Sequence, residues 1–424
     1  MLAISETNAC DLYESEVRTY CRSIPLEFAE GRNALLKTTD GAEYIDFLSG
    51  CGSLNYGHND PDMRDALMKY IARNGIAHSL DMATESKNQF VSTFVDYILA
   101  PRDMDFKIQF TGPTGTNAVE AALKLARKIT GRSTVVAFTN GFHGVSLGAL
   151  AATGNGYNRR AAGIALTGVA RFPYDGYLGP EIDTIDLLER MLGDPSSGLD
   201  VPAAFLVETV QGEGGLNVAR PHWLNRLRLL ADRYSALLII DDIQAGCGRT
   251  GAFFSFEGTR VVPDIVVLAK SLSGFGLPLA AVLIRRDLDV WRPGEHNGTF
   301  RGNNHAFVTA TTAIRKYWAD DSFVHKIRER AATIEAALAS LSSKTGWQSK
   351  GRGLFRGLRA PSKQIAAKIQ KTALGNGVVM ETCGPDDEVL KLLPPLTIED
   401  DILEDGLRRF SNAVLTAENR RVLV

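Results

Sequence analysis

The chain has 424 residues, 45% of them hydrophobic and 23% charged, with a net charge of −2. That balance fits an ordinary globular protein with room for two or three domains, and it excludes a basic nucleic-acid face or a binder of anionic membranes. No apolar run approaches the roughly 20 residues of a membrane-spanning helix, and the seven histidines lack ligand spacing, so no metal site is expected.

The opening stretch MLAISETNACDLYESE carries early acids and no cationic start, so it does not read as an export signal. Cys10, Cys21, Cys51, Cys247 and Cys383 are odd in number, scattered, and without a C-x-x-C pair, which points to reduced thiols in a cytoplasmic protein. In ALLKTTDGAEYIDF (34–47), Asp-Gly separates two strand-like runs and predicts a hairpin. It belongs to an N-terminal segment, residues 1–55, expected to pack on a small C-terminal domain.

Residues 56–310 read as a large domain. TVVAF (134–138), AAFLVE (203–208), ALLIIDD (236–242), DIVVLAK (264–270) and LAAVLI (279–284) are short apolar runs without alternation, as in strands covered on both faces. Residues 115–130 and 221–234 read as helices between them. In the first, Val119, Ala122 and Ala126 share a face, with Lys124 and Arg127 turned away. Strand–helix alternation predicts an α/β fold with a mainly parallel sheet. From about residue 311 the chain becomes helical, then breaks into short segments with turn signals, a smaller α+β domain over 311–424. The doublets Arg159-Arg160 and Arg420-Arg421 read as solvated faces.

Several positions carry potential chemistry. In FTGPTGTNAVEAALKLAR, Gly112, Gly115 and two threonines precede a helix, an arrangement of backbone N–H groups and a hydroxyl suited to an anion; either Thr114 or Thr116 also serves as the N-cap. Within TNGFHG, Phe142 offers a flat face or a core contact, and His143 a polar edge. Asp241 ends a buried strand, where a carboxylate needs a cation or a donor. Lys270 ends another, where open α/β sheets bind ligands and a partly desolvated amine is a nucleophile; the plainer alternative is a lysine reaching solvent. Thr299, in the polar loop GEHNGTFRGNN (294–304), is either a hydrogen-bond donor to a phosphate or part of an ordinary surface loop. Gly246, Gly248 and Gly251 spell G-x-G-x-x-G after a strand, the dinucleotide fingerprint. That reading needs a helix to open within the glycine run, and AFFSFEG follows instead. In order, an anion-binding helix start, an aromatic, a strand-end acid and a strand-end lysine fit a phosphorylated pyridine aldehyde held as a Schiff base.

The segments TGPTGTNAVEAALKLAR, GFHG, VETVQGEGG, DDIQAGCGRTG, LAKSLSGFGLP and GTFRGNN resemble the class III (omega-amino acid) aminotransferases, over nearly the whole chain. More narrowly, ESEVRTYCRSIP, LDMATESK, SSGLDVPAAFLVETVQGEGG and PGEHNGTFRGNN resemble the ectoine-pathway diaminobutyrate–2-oxoglutarate subgroup. The resemblance implies the fold type I architecture of PLP-dependent transferases, pyridoxal 5′-phosphate as cofactor, and amino-acid and keto-acid substrates. It also implies a homodimer or dimer of dimers with shared active sites.

It further implies that Lys270 carries the cofactor and moves the substrate proton, and that Asp241 pairs with the pyridinium nitrogen. Phe142 and Ile243 would bracket the ring, Gln244 and His143 sit at its edge, and Gly115, Thr116 and a partner subunit's Thr299 hold the phosphate. Glu208 and Glu213 would shape the pocket, Glu213 as a gate.

Three departures from the family pattern stand out. Asp241-Asp242 replaces Asp-Glu. Lys391 stands where the gating arginine belongs, a point charge without the bidentate fork. Val145 occupies the place of a second carboxylate-binding arginine. The implied reaction is transamination between glutamate and L-aspartate 4-semialdehyde, giving 2-oxoglutarate and L-2,4-diaminobutyrate. The alternative on the same fold is γ-elimination or carbon–carbon bond formation on a four-carbon amino acid in natural-product biosynthesis.

Overall fold

The computed structural model describes residues 9–422, with side chains to Glu418; half of the opening stretch and the doublet Arg420-Arg421 lie outside the side chains described. The apolar runs form a seven-stranded sheet from Phe106–Phe110 (β1), Val135–Phe138 (β2), Val169–Phe172 (β3), Ala204–Val207 (β4), Leu237–Asp241 (β5), Ile265–Leu268 (β6) and Ala281–Arg285 (β7), in spatial order β1-β7-β6-β5-β4-β2-β3. β7 pairs antiparallel with both neighbours and the other pairings are parallel. β2, β4, β5 and β6 are buried at every residue, the reason their sequences do not alternate.

The helix Gly115–Thr130 (α1) is capped at its start by the Thr114 side chain and closed by Gly131 in the left-handed region at φ 67°. Its buried face includes Val119, Ala122 and Ala126, and the run of alanines lets it lie close against the sheet. Pro221–Arg233 (α2) buries Trp223, Leu224 and Leu227. Asn304–Tyr317 (α3) and Ser322–Thr345 (α4) follow as two helices where the sequence read as one helical region.

The expected hairpin forms, with Leu35–Thr38 antiparallel to Glu43–Asp46. Glu43–Asp46 then pairs in parallel with Val378–Val379, tying the N-terminal segment to the C-terminal part of the chain. A second four-stranded sheet holds Gln348–Arg352, Phe355–Arg359, Val389–Leu392 and Glu381–Cys383 in that order. The helix Asp400–Val422, which the sequence reading left out, packs on α4.

No helix opens in the glycine run. Gly248 and Gly251 take φ of 90° and 111° within successive turns, and a Cβ on Gly248 would come within 2.8 Å of Leu396 Cδ1 and 3.0 Å of Trp318 Cζ2. Between them Arg249 is fully buried. It donates to Asn55 Oδ1 and to the carbonyls of Leu354 and Pro394, at 2.7, 3.2 and 2.6 Å. Burial pulls its guanidinium down to about 9. The run is thus a seam between the large sheet and the C-terminal segments.

Candidate active site

Five strands of the large sheet that run in one direction end at a common place. Gly115 and Thr116 open the helix after β1, Phe142 and His143 follow β2, Glu208 follows β4, Asp241 ends β5, and Lys270 comes just after β6. All of them line one cavity of about 420 Å³, together with Ile243, Gln244 and Glu213. The carboxyl ends of parallel strands are where such sheets bind ligands.

Lys270 begins a short 3₁₀ turn with φ 51°, a left-handed conformation unusual outside glycine and a mark of constrained sites. Its Nζ donates to the carbonyl of Cys51 at 2.9 Å. That carbonyl also accepts from Gln244 Nε2 at 3.0 Å. Gly50, Cys51 and Gly52 all take positive φ, and this tight loop aims the carbonyl inward.

Asp241 Oδ2 lies 2.7 Å from His143 Nδ1, with both side chains buried. Burial alone would lower the imidazole's proton affinity, but the hydrogen bond and charge of Asp241 outweigh it and the pKa is raised. Glu208 accepts from the backbone N–H of Phe142 at 2.9 Å. Burial drives its carboxyl up to about 7. Asp242 points away, accepting from the N–H of Ser255 at 3.0 Å, and burial likewise pushes it up to about 7.

At the start of α1 the two threonines divide the work. Thr114 Oγ1 accepts from Asn117 N and is the cap. Thr116 Oγ1 is buried with no partner among the described residues. Gly144, at φ 125°, leaves room beside it, since a Cβ there would lie 2.4 Å from that oxygen. A Cβ on Gly115 would lie 2.8 Å from Ile243 Cδ1.

Beyond Cys51 and Gln244 the site is charged. Lys391, fully buried, donates to Glu213 Oε1 at 2.8 Å and pairs with Glu381 Oε1 at the same distance. Cys51 Sγ is 3.6 Å from each of these oxygens, and Gln244 Nε2 is 3.3 Å from Glu213. For Glu213, burial favours the neutral acid, but the ammoniums of Lys391 and Lys270 hold it down at about 2. Glu381 is raised, burial prevailing over the pull of Lys391.

Of the residues singled out in the sequence, Lys391 stands behind Glu213 rather than on the cavity surface, and Thr299 is exposed on its loop, outside the cavity. The Thr299 carbonyl is 2.5 Å from His78 Nε2. Val145 lines the mouth with 61% of its surface exposed. Cys51, Ser53 and Glu381 were not anticipated. The glycine pair around Cys51 was the available signal for the first two; nothing local marks Glu381.

A family model described as Aminotransferase class-III matches residues 18–414. A diaminobutyrate–2-oxoglutarate transaminase of Halalkalibacterium halodurans is 52% identical, covering 99% of this chain and 99% of its own length. One of Halomonas elongata is 54% identical over 95% of this chain and 97% of its own. Among solved structures, the ornithine aminotransferase of Toxoplasma gondii aligns with a TM-score of 0.84 at 28% identity, covering 97% of this chain and 94% of that one.

Proposed function

The chain belongs to the class-III aminotransferases, and from that premise we propose that it moves an amino group between glutamate/2-oxoglutarate and L-aspartate 4-semialdehyde/L-2,4-diaminobutyrate with pyridoxal 5′-phosphate as cofactor. The substrate pair is carried by the relatives named diaminobutyrate–2-oxoglutarate transaminase that match this chain nearly end to end. The observation that carries the chemistry is one cavity in which a strained lysine, a buried aspartate–histidine pair and a hydroxyl without a partner converge.

Those residues fit the cofactor. Pyridoxal phosphate, when bound, supplies an aldehyde that condenses with amines and a pyridinium that withdraws electrons from the substrate. Lys270 would hold it and then carry the proton to and from the substrate carbon as general base and acid. Asp241 would accept the pyridinium N–H, with His143 fixing the carboxylate's orientation from its far side. Phe142 and Ile243 would bracket the ring, and Gln244 its edge. Thr116 Oγ1 and the N–H groups at the start of α1, including that of Gly115, would meet the phosphate, which the helix dipole favours. Glu208 holds the backbone of Phe142 in place, and Glu213 with Lys391 would meet the substrate's far end.

A homodimer, or a pair of dimers, fits the outward side of the loop bearing Thr299. Phe300, Met82 and Leu80 are exposed there at 68, 59 and 41%, and Thr299 would reach a partner's phosphate. No helix among the described residues is long and apolar enough to cross a membrane, and the buried thiols of Cys247 and Cys383 fit a cytoplasmic enzyme of ectoine synthesis. The division into residues 1–55, a large domain from 56 and a small domain from 311 is proposed on the same footing. The helix α3, within which the second boundary falls, packs on the helices Pro61–Ala72 and Glu85–Phe94.

The test is to supply glutamate and aspartate semialdehyde to the holoenzyme and follow products by mass spectrometry. Diaminobutyrate and 2-oxoglutarate are expected in equal amounts. No product, and no change in cofactor absorbance with glutamate or diaminobutyrate alone, would rule the proposal out.

A further inference from the structure

Glu381 has no part in the chemistry above, yet it shares the ammonium of Lys391 with Glu213 on equal terms, at 2.8 Å each. The two carboxylates are held differently. Glu381 and Lys391 are directly opposite partners in the antiparallel ladder between Glu381–Cys383 and Val389–Leu392. Side chains opposite one another across a ladder meet by construction, and their side-chain exposures are 6% and 0%. Glu213 arrives from another part of the chain, on the turn between Val210–Gln211 and Asn217–Val218. It lines the cavity and keeps 32% of its side chain exposed. If one carboxylate leaves Lys391, it is Glu213.

The charge count then has a fixed outcome. Lys270 would be taken up by the cofactor in the holoenzyme and is left out of the count; with Glu213 on Lys391, two carboxylates and one ammonium sum to −1. With Glu213 turned away, Lys391 and Glu381 remain as a neutral pair. Neither arrangement offers an unpaired cation to a substrate carboxylate, whereas Glu213 is free to meet an ammonium. We infer that Glu381 is a specificity-determining positioning residue. It keeps Lys391 neutralised in both arrangements, and so biases this end of the cavity toward the ammonium of a diamino acid and against the second carboxylate of a dicarboxylic acid.

This inference rests on the transaminase reading, and its test has an arm that does not need turnover. Glutarate, a dicarboxylate that cannot react, is titrated into holoenzyme and its Kd read from cofactor absorbance. Glu381→Gln keeps the shape and an acceptor for Lys391 but removes one charge. Its Kd for glutarate should fall about tenfold, the scale of a close charge pair. The KM for 2-oxoglutarate should fall and that for diaminobutyrate rise, with kcat for both moving less than about threefold; Glu381→Asp should restore the original values. An unchanged glutarate Kd in intact holoenzyme, or a kcat loss shared by both substrates, overturns the inference.

Should Glu381→Gln not fold, the double variant Glu381→Leu/Lys391→Met replaces the buried pair by apolar side chains of similar size, a change that cores tolerate. It should bind glutarate within about twofold of the parent protein. A tenfold loss there would mean that Lys391 already serves dicarboxylates, and would overturn the inference as well. If instead the parent protein turns over no amino donor while glutarate binding shifts as described, it is the transaminase proposal that fails.

Discussion

The strand-end wall of the cavity and the charged wall at Glu213 treat polar groups in opposite ways. At the strand ends, Thr116 Oγ1 has no partner among the described residues, and Asp241 keeps a single side-chain partner, His143, with its other oxygen on the N–H of Ile243. The Thr116 hydroxyl is left unsatisfied, and a buried polar atom without a partner costs free energy until a ligand supplies one. At the charged wall, Lys391 and Glu381 from the small sheet and Glu213, Cys51 and Gln244 from other parts of the chain satisfy each other. The first wall is shaped to receive a fixed group. The second is a closed charge network that a substrate must reopen, which suits an end that has to accept two different substrates in turn.

If that division is right, damage to the first wall should appear in chemistry and cofactor affinity, and damage to the second in stability and selectivity. The largest effect is expected from Lys270→Ala, which should lower turnover by at least about 10⁴-fold, the upper range for loss of a general acid–base group. Its melting temperature should change little. A variant retaining turnover within tenfold would remove Lys270 from the centre of the site.

Lys391→Met tests the other wall. It leaves two buried carboxylates without their cation and should cost about 3–5 kcal/mol in denaturant unfolding of the holoenzyme, toward the lower figure because Glu213 is partly exposed. Its pH dependence is a sharper check. Glu213 is depressed from 4.5 to about 2, so its contribution is present at neutral pH and lost as pH falls below about 4.5 toward 2. In Lys391→Met that acid-side loss should shift to higher pH. An unshifted acid limb would show that Lys391 does not hold the Glu213 charge.

The same contrast explains what was legible in the sequence. Asp241 and Lys270 could be singled out because each sits at the end of an apolar run, and strand ends are a local property. Five strands of the sheet were readable for that reason. β1 (FKIQF) and β3 (VARF) were not, because polar residues interrupt them at a length where a turn is equally good. Glu381 was invisible for a different reason. Its meaning comes from a ladder register and from Cys51, 330 residues away in the chain, and no spacing encodes that. The glycine run is the reverse case. Its pattern had a ready interpretation, while its structural content is Arg249, buried through three chain segments.

Effects on the first wall should be smaller where the group is one of several. Asp241→Asn should reduce kcat about 10²–10³-fold, as when a single electrostatic contact to the reacting group is lost, and should also lower the raised pKa of His143 in an NMR titration. Thr116→Val should weaken pyridoxal phosphate binding about 10- to 100-fold, the worth of one hydrogen bond to a charged oxygen, with little change in kcat once cofactor is saturating. An unaltered Kd would mean that the lone hydroxyl serves something else.

The smallest effect on activity is expected one residue from one of the largest. Asp242 follows Asp241 directly, but it is turned into the protein, with one carboxylate oxygen on the N–H of Ser255 and the other without a partner. An asparagine keeps an acceptor for Ser255, so Asp242→Asn should hold kcat within about threefold. Stability should respond instead. A carboxyl raised from 3.8 to about 7 binds its proton more tightly when folded, so its contribution is full below about pH 4 and lost as pH rises through 7. Asp242→Asn removes that loss. Relative to the parent protein its unfolding free energy should therefore improve steadily from pH 4 to pH 8. Equal slopes for the two proteins, or a drop in kcat as deep as that of Asp241→Asn, would place both aspartates on the same wall.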